Sequence, residues 1–193
     1  MEKRQVVIIG GGEAFDTREE YLAYLRTVPY DPYEVRLDGW KKNLPLAIGD
    51  GYEVIAPSMP CVQDAKYDEW AVWFGRVVPF LRDGVALVGH SLGANFLAKY
   101  LAENEVPVKA GSLHLVAGCY GMAGGFGLPD SLEGVSGQAG HIFIYHSHDD
   151  PVVPFADAER YLEALPGAEL IAFEDRGHFL QPDFPELVAR ILG

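Results

Sequence analysis

Three residue types spaced along this chain could together perform nucleophilic chemistry: a serine, a carboxylate and a histidine. Ser91 lies in Gly89-His90-Ser91-Leu92-Gly93, behind the apolar run Val85-Ala86-Leu87-Val88 and ahead of a helical pattern. Small residues flanking a serine at a strand-to-helix turn hold its hydroxyl clear of the backbone. A serine hydroxyl needs a base to take its proton. Imidazole serves well, and a carboxylate keeps the imidazole in the working tautomer. The run His146-Ser147-His148-Asp149-Asp150-Pro151-Val152-Val153-Pro154 follows a strand-like segment and puts a carboxylate in a turn before a helix near Phe155. Asp150, directly before Pro151, is the expected acid. Asp149 is its rival, and either aspartate could simply cap a turn. Glu174-Asp175-Arg176-Gly177-His178-Phe179 follows the last strand-like run, and His178 is the only histidine beyond the acid. The expected catalytic set is therefore Ser91, Asp150 and His178.

The other histidines fit other roles. His90 lies inside the elbow, where its ring cannot serve the neighbouring serine as base. His114 and His141 fall in or at strands, as packed residues do. His146 and His148, with adjacent aspartates, could ligate zinc, but no further ligand cluster accompanies them, and no metal is expected. The oxyanion formed on attack needs backbone N–H donors, one from the residue after the nucleophile and one from the loop after the first strand. These are Leu92 and, in Gly10-Gly11-Gly12-Glu13, Gly12, with Gly11 next. The glycine run misses the dinucleotide fingerprint G-x-G-x-x-G because its sixth residue is Phe15. No cofactor is implied.

The elements that must position these groups follow from periodicity. Apolar, β-rich runs occupy Val6–Ile9, Tyr52–Ala56, Val85–Val88, Ser112–Ala117, His141–Tyr145 and Glu169–Phe173. Helical patterns lie between most of them. Thr17 and Glu20 can form a capping box. Trp70, Trp73, Phe74, Val77, Val78 and Leu81 repeat at three and four, as do Phe96, Leu97, Tyr100 and Leu101, and Phe184, Leu187, Val188, Ile191 and Leu192. Strands alternating with helices imply an α/β fold: a six-stranded, mostly parallel sheet with helices on both faces. No linker or repeat divides residues 1–193, which read as a single domain. Residues 28–51 and 118–140 look like inserted pocket loops, the second glycine-rich and emerging where open α/β sheets bind ligands. Tyr120 and Phe126 are the expected substrate-binding residues; Met122 and Trp40 also hint at an apolar acyl pocket.

Composition bounds the partners. The 193 residues carry 15 basic and 28 acidic side chains, a net charge of −13, which argues against nucleic acid. No apolar stretch suits a membrane span, and the N-terminus lacks a signal-like apolar region, so a cytoplasmic location is expected. Cys61 and Cys119 are the only cysteines and read as thiols.

Three segments together resemble the α/β-hydrolase superfamily, and within it small serine hydrolases of the retinoblastoma-binding protein 9 type. They are Val88–Ala94, Asp149–Pro154, and Asp175–Phe179 with Asp183–Leu187. The resemblance implies Ser91, Asp150 and His178 as nucleophile, acid and base, and a sheet order of 2-1-3-4-5-6 in this chain's strand numbering. It is weaker in the N-terminal half, where Gly10-Gly11-Gly12-Glu13 replaces a His-Gly pair. The L-x-C-x-E sequence associated with retinoblastoma-protein binding is absent. The expected function is a serine hydrolase cleaving a small-molecule ester, thioester or amide, with short acyl groups favoured. The alternative is a non-catalytic binding module on the same scaffold.

Overall fold

The apolar runs assemble into one sheet. In this computed structural model, which describes residues 2–33, 39–121, 123–129 and 131–193, the strands are β1 (Arg4–Ile9), β2 (Tyr52–Ile55), β3 (Ala86–His90), β4 (Ala110–Val116), β5 (Ala139–Ser147) and β6 (Glu169–Phe173). They pair in the order β2-β1-β3-β4-β5-β6, every pair parallel. That is the expected order. Parallel strands need covered crossovers, and the α-helices supply them: α1 (Arg18–Thr27), α2 (Trp40–Ile48), α3 (Tyr67–Gly75), α4 (Leu92–Glu103), α5 (Glu133–Gln138), α6 (Phe155–Ala164) and α7 (Pro185–Leu192).

The core is split by the sheet. On one face Trp70 and Phe74 of α3, Phe96 and Leu97 of α4, Val135 of α5 and Tyr161 of α6 cover Val7, Ile9, Leu87 and Leu113. On the other, Trp40, Leu44 and Ile48 of α2 join Leu187 and Ile191 of α7 over Val6, Ile8, Val88 and Tyr145. Helix α1 buries no residue, but Thr17 and Glu20 close the expected capping box at its start. Among the described residues no helix is long and apolar enough to cross a membrane.

Three expectations change. The apolar stripe from Trp70 to Leu81 is not one helix: α3 stops at Gly75 and a separate 3-10 turn covers Val78–Phe80. Pro79 explains the break, because it lacks an N–H and its ring would strike the carbonyl of Gly75, four residues back. Residues 28–51 are not merely a loop, since α2 forms there despite Pro45 and buries Trp40, Leu44 and Ile48 at four-residue spacing. Residues 34–38 of that segment lie outside the described set. Residues 118–140 contain α5, and Phe126 is fully buried there among the Tyr67 and Trp70 rings.

Candidate active site

The turn between β3 and α4 is made possible by its two glycines. A Cβ at Gly89 would meet the backbone of Gly93 and Ala94, and one at Gly93 would run into the carbonyl oxygens of Ile9 and Gly10. Between them Ser91 takes φ 56° and ψ −124°, a conformation L-residues rarely adopt. Its amide donates to Val116 O at 2.8 Å, tying the elbow to the end of β4. The next amide, Leu92, opens α4, where first-turn N–H groups have no acceptor within the helix.

Asp150 and His178 meet as their spacing implied. His178 Nδ1 lies 2.9 Å from Asp150 Oδ2 and 3.1 Å from Oδ1. Asp150 also accepts from the backbone N–H of Val152 at 2.8 Å and Val153 at 3.1 Å, which fixes its carboxylate in the turn. Its side chain is fully buried, while that of His178 is 10% exposed toward the site. The rival Asp149 does different work. It accepts from Gly177 N at 2.8 Å and from Ser147 Oγ at 2.5 Å, holding the loop that carries His178. Those hydrogen bonds keep the Asp149 carboxyl below its ordinary pKa.

Ser91, His178, Leu92, Gly11 and Gly12 line one cavity of about 710 Å³ at the carboxyl edge of the sheet. The cavity sits where the strand order turns, between the ends of β1 and β3, which is where open α/β sheets take ligands. Gly11 passes close to Ser91: a Cβ placed on it would lie 3.4 Å from Ser91 Oγ. Gly12 packs against Val62 and Leu92. Among the described residues no hydrogen bond joins Ser91 Oγ to the His178 ring, a contact that often tightens only around bound substrate.

The structure does not bring the aromatic residues to the cavity wall. Phe126 is core, with no exposed surface, because its ring packs edge-on against Tyr67 and Trp70 of α3. Tyr120 stacks edge-on against Tyr161 at 5.0 Å with the Arg160 guanidinium 4.1 Å over its ring, and it is absent from the cavity wall that Cys119 and Gly121 share. Trp40 is buried, donating from Nε1 to Phe179 O at 2.9 Å with its ring edge-on to His90. Met122 lies outside the described residues. The apolar wall comes instead from Val62, Val152, Val153 and Leu180. Burial pushes the Cys119 thiol up to about 12, so it is a neutral wall group.

The sequence reading missed Lys41. Its ammonium lines the cavity and lies 2.8 Å from His90 Nδ1, and burial pushes it down to about 8. Its position, one residue after a buried tryptophan at a helix start, was a usable signal only once α2 was recognised. The histidine pair beside Asp150 is divided: His146 is buried with Nε2 3.0 Å from Val153 O, and His148 stacks on Phe155 at 3.7 Å.

The chain is similar to known hydrolases along most of its length. Serine hydrolase RBBP9 of Rattus norvegicus is 28% identical over 148 residues, 72% of this chain and 75% of that protein. YdeN of Bacillus subtilis is 24% identical over 151 residues, 75% of this chain and 78% of its own. The crystal structure of the ydeN gene product superposes with a TM-score of 0.70 at 22% identity, covering 98% of this chain and 97% of that one. An esterase from Exiguobacterium antarcticum superposes at 0.60 and 18% identity, covering 100% and 94%. At these identities the superpositions speak for the fold, that of the α/β hydrolases. The family model described as Serine hydrolase matches residues 38–183, a span that includes Ser91, Asp150 and His178, and the chain belongs to that family.

Proposed function

We propose that this serine hydrolase is of carboxylesterase type and cleaves a small ester, thioester or amide through an acyl-enzyme on Ser91. The observation that carries the reading is the paired contact of His178 Nδ1 with both Asp150 oxygens, in a cavity shared with the strained Ser91 turn. His178 Nε2 takes the Ser91 proton as Oγ attacks the substrate carbonyl. Asp150 holds the imidazole and stabilises the imidazolium. The Leu92 N–H and a second amide from the Gly11–Gly12 segment, Gly12 by its place in the chain, receive the oxyanion. His178 then protonates the leaving alcohol, thiol or amine. Water, deprotonated by the same ring, releases the acid and restores Ser91.

The cavity wall supports short acyl groups. Glycine backbone, Glu13, Lys41 and Asp157 stand among the lining residues beside Val62, Val152, Val153 and Leu180, a mixed wall that suits a small acyl group. The test is labelling with a fluorophosphonate probe, wild type beside Ser91→Ala, with mass mapping of the adduct. Labelling at Ser91 that vanishes in the variant, with acetyl or butyryl esters turned over faster than palmitoyl, is the expected result. A folded protein that resists the probe would instead be the binding module on a hydrolase scaffold.

A further inference from the structure

Trp40, at the start of α2, bonds the loop carrying the base at two direct points. Trp40 N donates to Gln181 O at 2.9 Å, and Trp40 Nε1 donates to Phe179 O at 2.9 Å. A third link runs through side chains: Lys41 Nζ is 2.8 Å from His90 Nδ1, and His90 Nε2 is 2.8 Å from His178 O. An ammonium only donates. Nδ1 of His90 must therefore accept, its one proton sits on Nε2, and that N–H donates to the His178 carbonyl. The other tautomer would set two donors face to face at Lys41 and a lone pair against the carbonyl. Burial and the adjacent Lys41 charge both oppose protonation of the His90 ring, which keeps it neutral and makes its tautomer a real choice.

Lys41 itself is an odd residue for a purely structural place. It is largely buried, and among the described residues no carboxylate pairs with it. Holding an ammonium partly withdrawn from water, with no carboxylate among the described residues to pair with it, is unfavourable, and a methionine would fill the same space without that penalty. The loop it reaches turns through positive φ on either side of the base, at Gly177 (φ 51°) and at Phe179 (φ 54°), where a side chain makes that conformation costly. A carbonyl anchored between two such residues sets where the His178 ring points.

We propose that Lys41 is a positioning residue for the base, selecting the His90 tautomer whose Nε2–H anchors the His178 carbonyl and so orients the ring toward Ser91. The inference rests on the serine-hydrolase reading above. Charged and titratable groups facing this array are Asp150 on the His178 ring, Glu13 and Asp157 across the cavity, and Arg176, which is held by Glu186 at 2.6 Å.

The experiment compares wild type, Lys41→Met, Lys41→Arg, His90→Gln and the Lys41→Met/His90→Gln double variant. The readouts are fluorophosphonate labelling of Ser91, kcat and KM on p-nitrophenyl acetate, and the ¹⁵N shifts of the His90 ring. A glutamine amide can donate to His178 O with no tautomer to select. Lys41→Met is expected to lower the labelling rate and kcat by about tenfold or more, the scale of a lost hydrogen bond to a charged group, with KM little changed. Lys41→Arg recovers most of it. In the His90→Gln background the same change costs less than about twofold, within ordinary additivity error. Equal losses in both backgrounds, or a loss confined to KM for carboxylate-bearing esters, overturn the inference and make Lys41 a packing or substrate-binding group. Ring shifts of His90 that are the same in wild type and Lys41→Met overturn it without reference to activity. A wild type that the probe does not label refutes the hydrolase reading instead, and the ring shifts still decide the Lys41 question.

Discussion

Ser91 carries a conformational cost of about 1–3 kcal/mol for a non-glycine residue at positive φ. The elbow is kept because Gly89 and Gly93 let β3, α4 and the β1 loop close around it, and the strain presents Oγ to the cavity. Replacing Ser91 by glycine relieves that strain, whereas alanine keeps it. Ser91→Gly is therefore expected to be more stable than Ser91→Ala by about 1 kcal/mol in urea unfolding; equal midpoints would mean the turn is not strained. His114 is a second residue with a readable cost. It is buried in β4 between Tyr145 OH at 3.0 Å and Ser112 Oγ at 2.8 Å, and burial pushes it down to about 3. In the unfolded chain its pKa is about 6.5. Between those values the unfolded state binds the extra proton, so stability is intact above pH ~6.5 and is lost as pH falls toward 3. From pH ~6.5 to ~4 the loss is roughly 3 kcal/mol for this one group. Urea midpoints measured across that range should fall less steeply for His114→Gln than for wild type, and parallel slopes would remove His114 as a source.

At the scale of elements, the strands were the most legible part of the sequence. Parallel strands buried on both faces are near-continuous apolar runs, and the six runs matched the six strands. Their ends were less so. β5 extends from Ala139 to Ser147 because Ala139 and His141 pair with Ala110 and Ser112 of β4, a register that hydropathy does not display. Helix α2 was hidden by Pro45 and by the surrounding prolines and aromatics, although Trp40, Leu44 and Ile48 stand at i, i+4 and i+8. That helix matters most for the site, since its first turn grips the backbone at Phe179 and Gln181. That Ser91, Asp150 and His178 stand just beyond strands could be read in advance, because local turn chemistry marks each position. Lys41 and the cavity wall could not. Their roles arise from contacts between segments about 50 to 140 residues apart, such as Lys41 with His90 and Trp40 with Phe179.

At the scale of the whole molecule, the excess of 28 acidic over 15 basic residues is a property no single contact explains. Net charge of this size destabilises the compact state by self-repulsion. Exposed ion pairs work in the opposite direction: Arg82 with Glu53 at 2.9 Å and Arg190 with Glu169 at 2.5 Å are each half-exposed or nearly so. Pairs of that kind contribute about 0–1 kcal/mol each, and salt weakens them as it weakens the repulsion. Which effect wins is decided by number. The unbalanced charge is −13, and at low salt, where the Debye length is about 30 Å, like charges repel across much of the molecule. The attractive pairs are short-ranged, and among the described residues seven join Lys or Arg to a carboxylate. Raising NaCl from about 10 mM to about 150 mM shortens the screening length to about 8 Å, which removes most of the long-range repulsion and only part of each close pair. The thermal midpoint is therefore expected to rise over that interval at neutral pH. A midpoint that falls would mean that the ion pairs at the sheet's β2 and β6 edges outweigh the net charge.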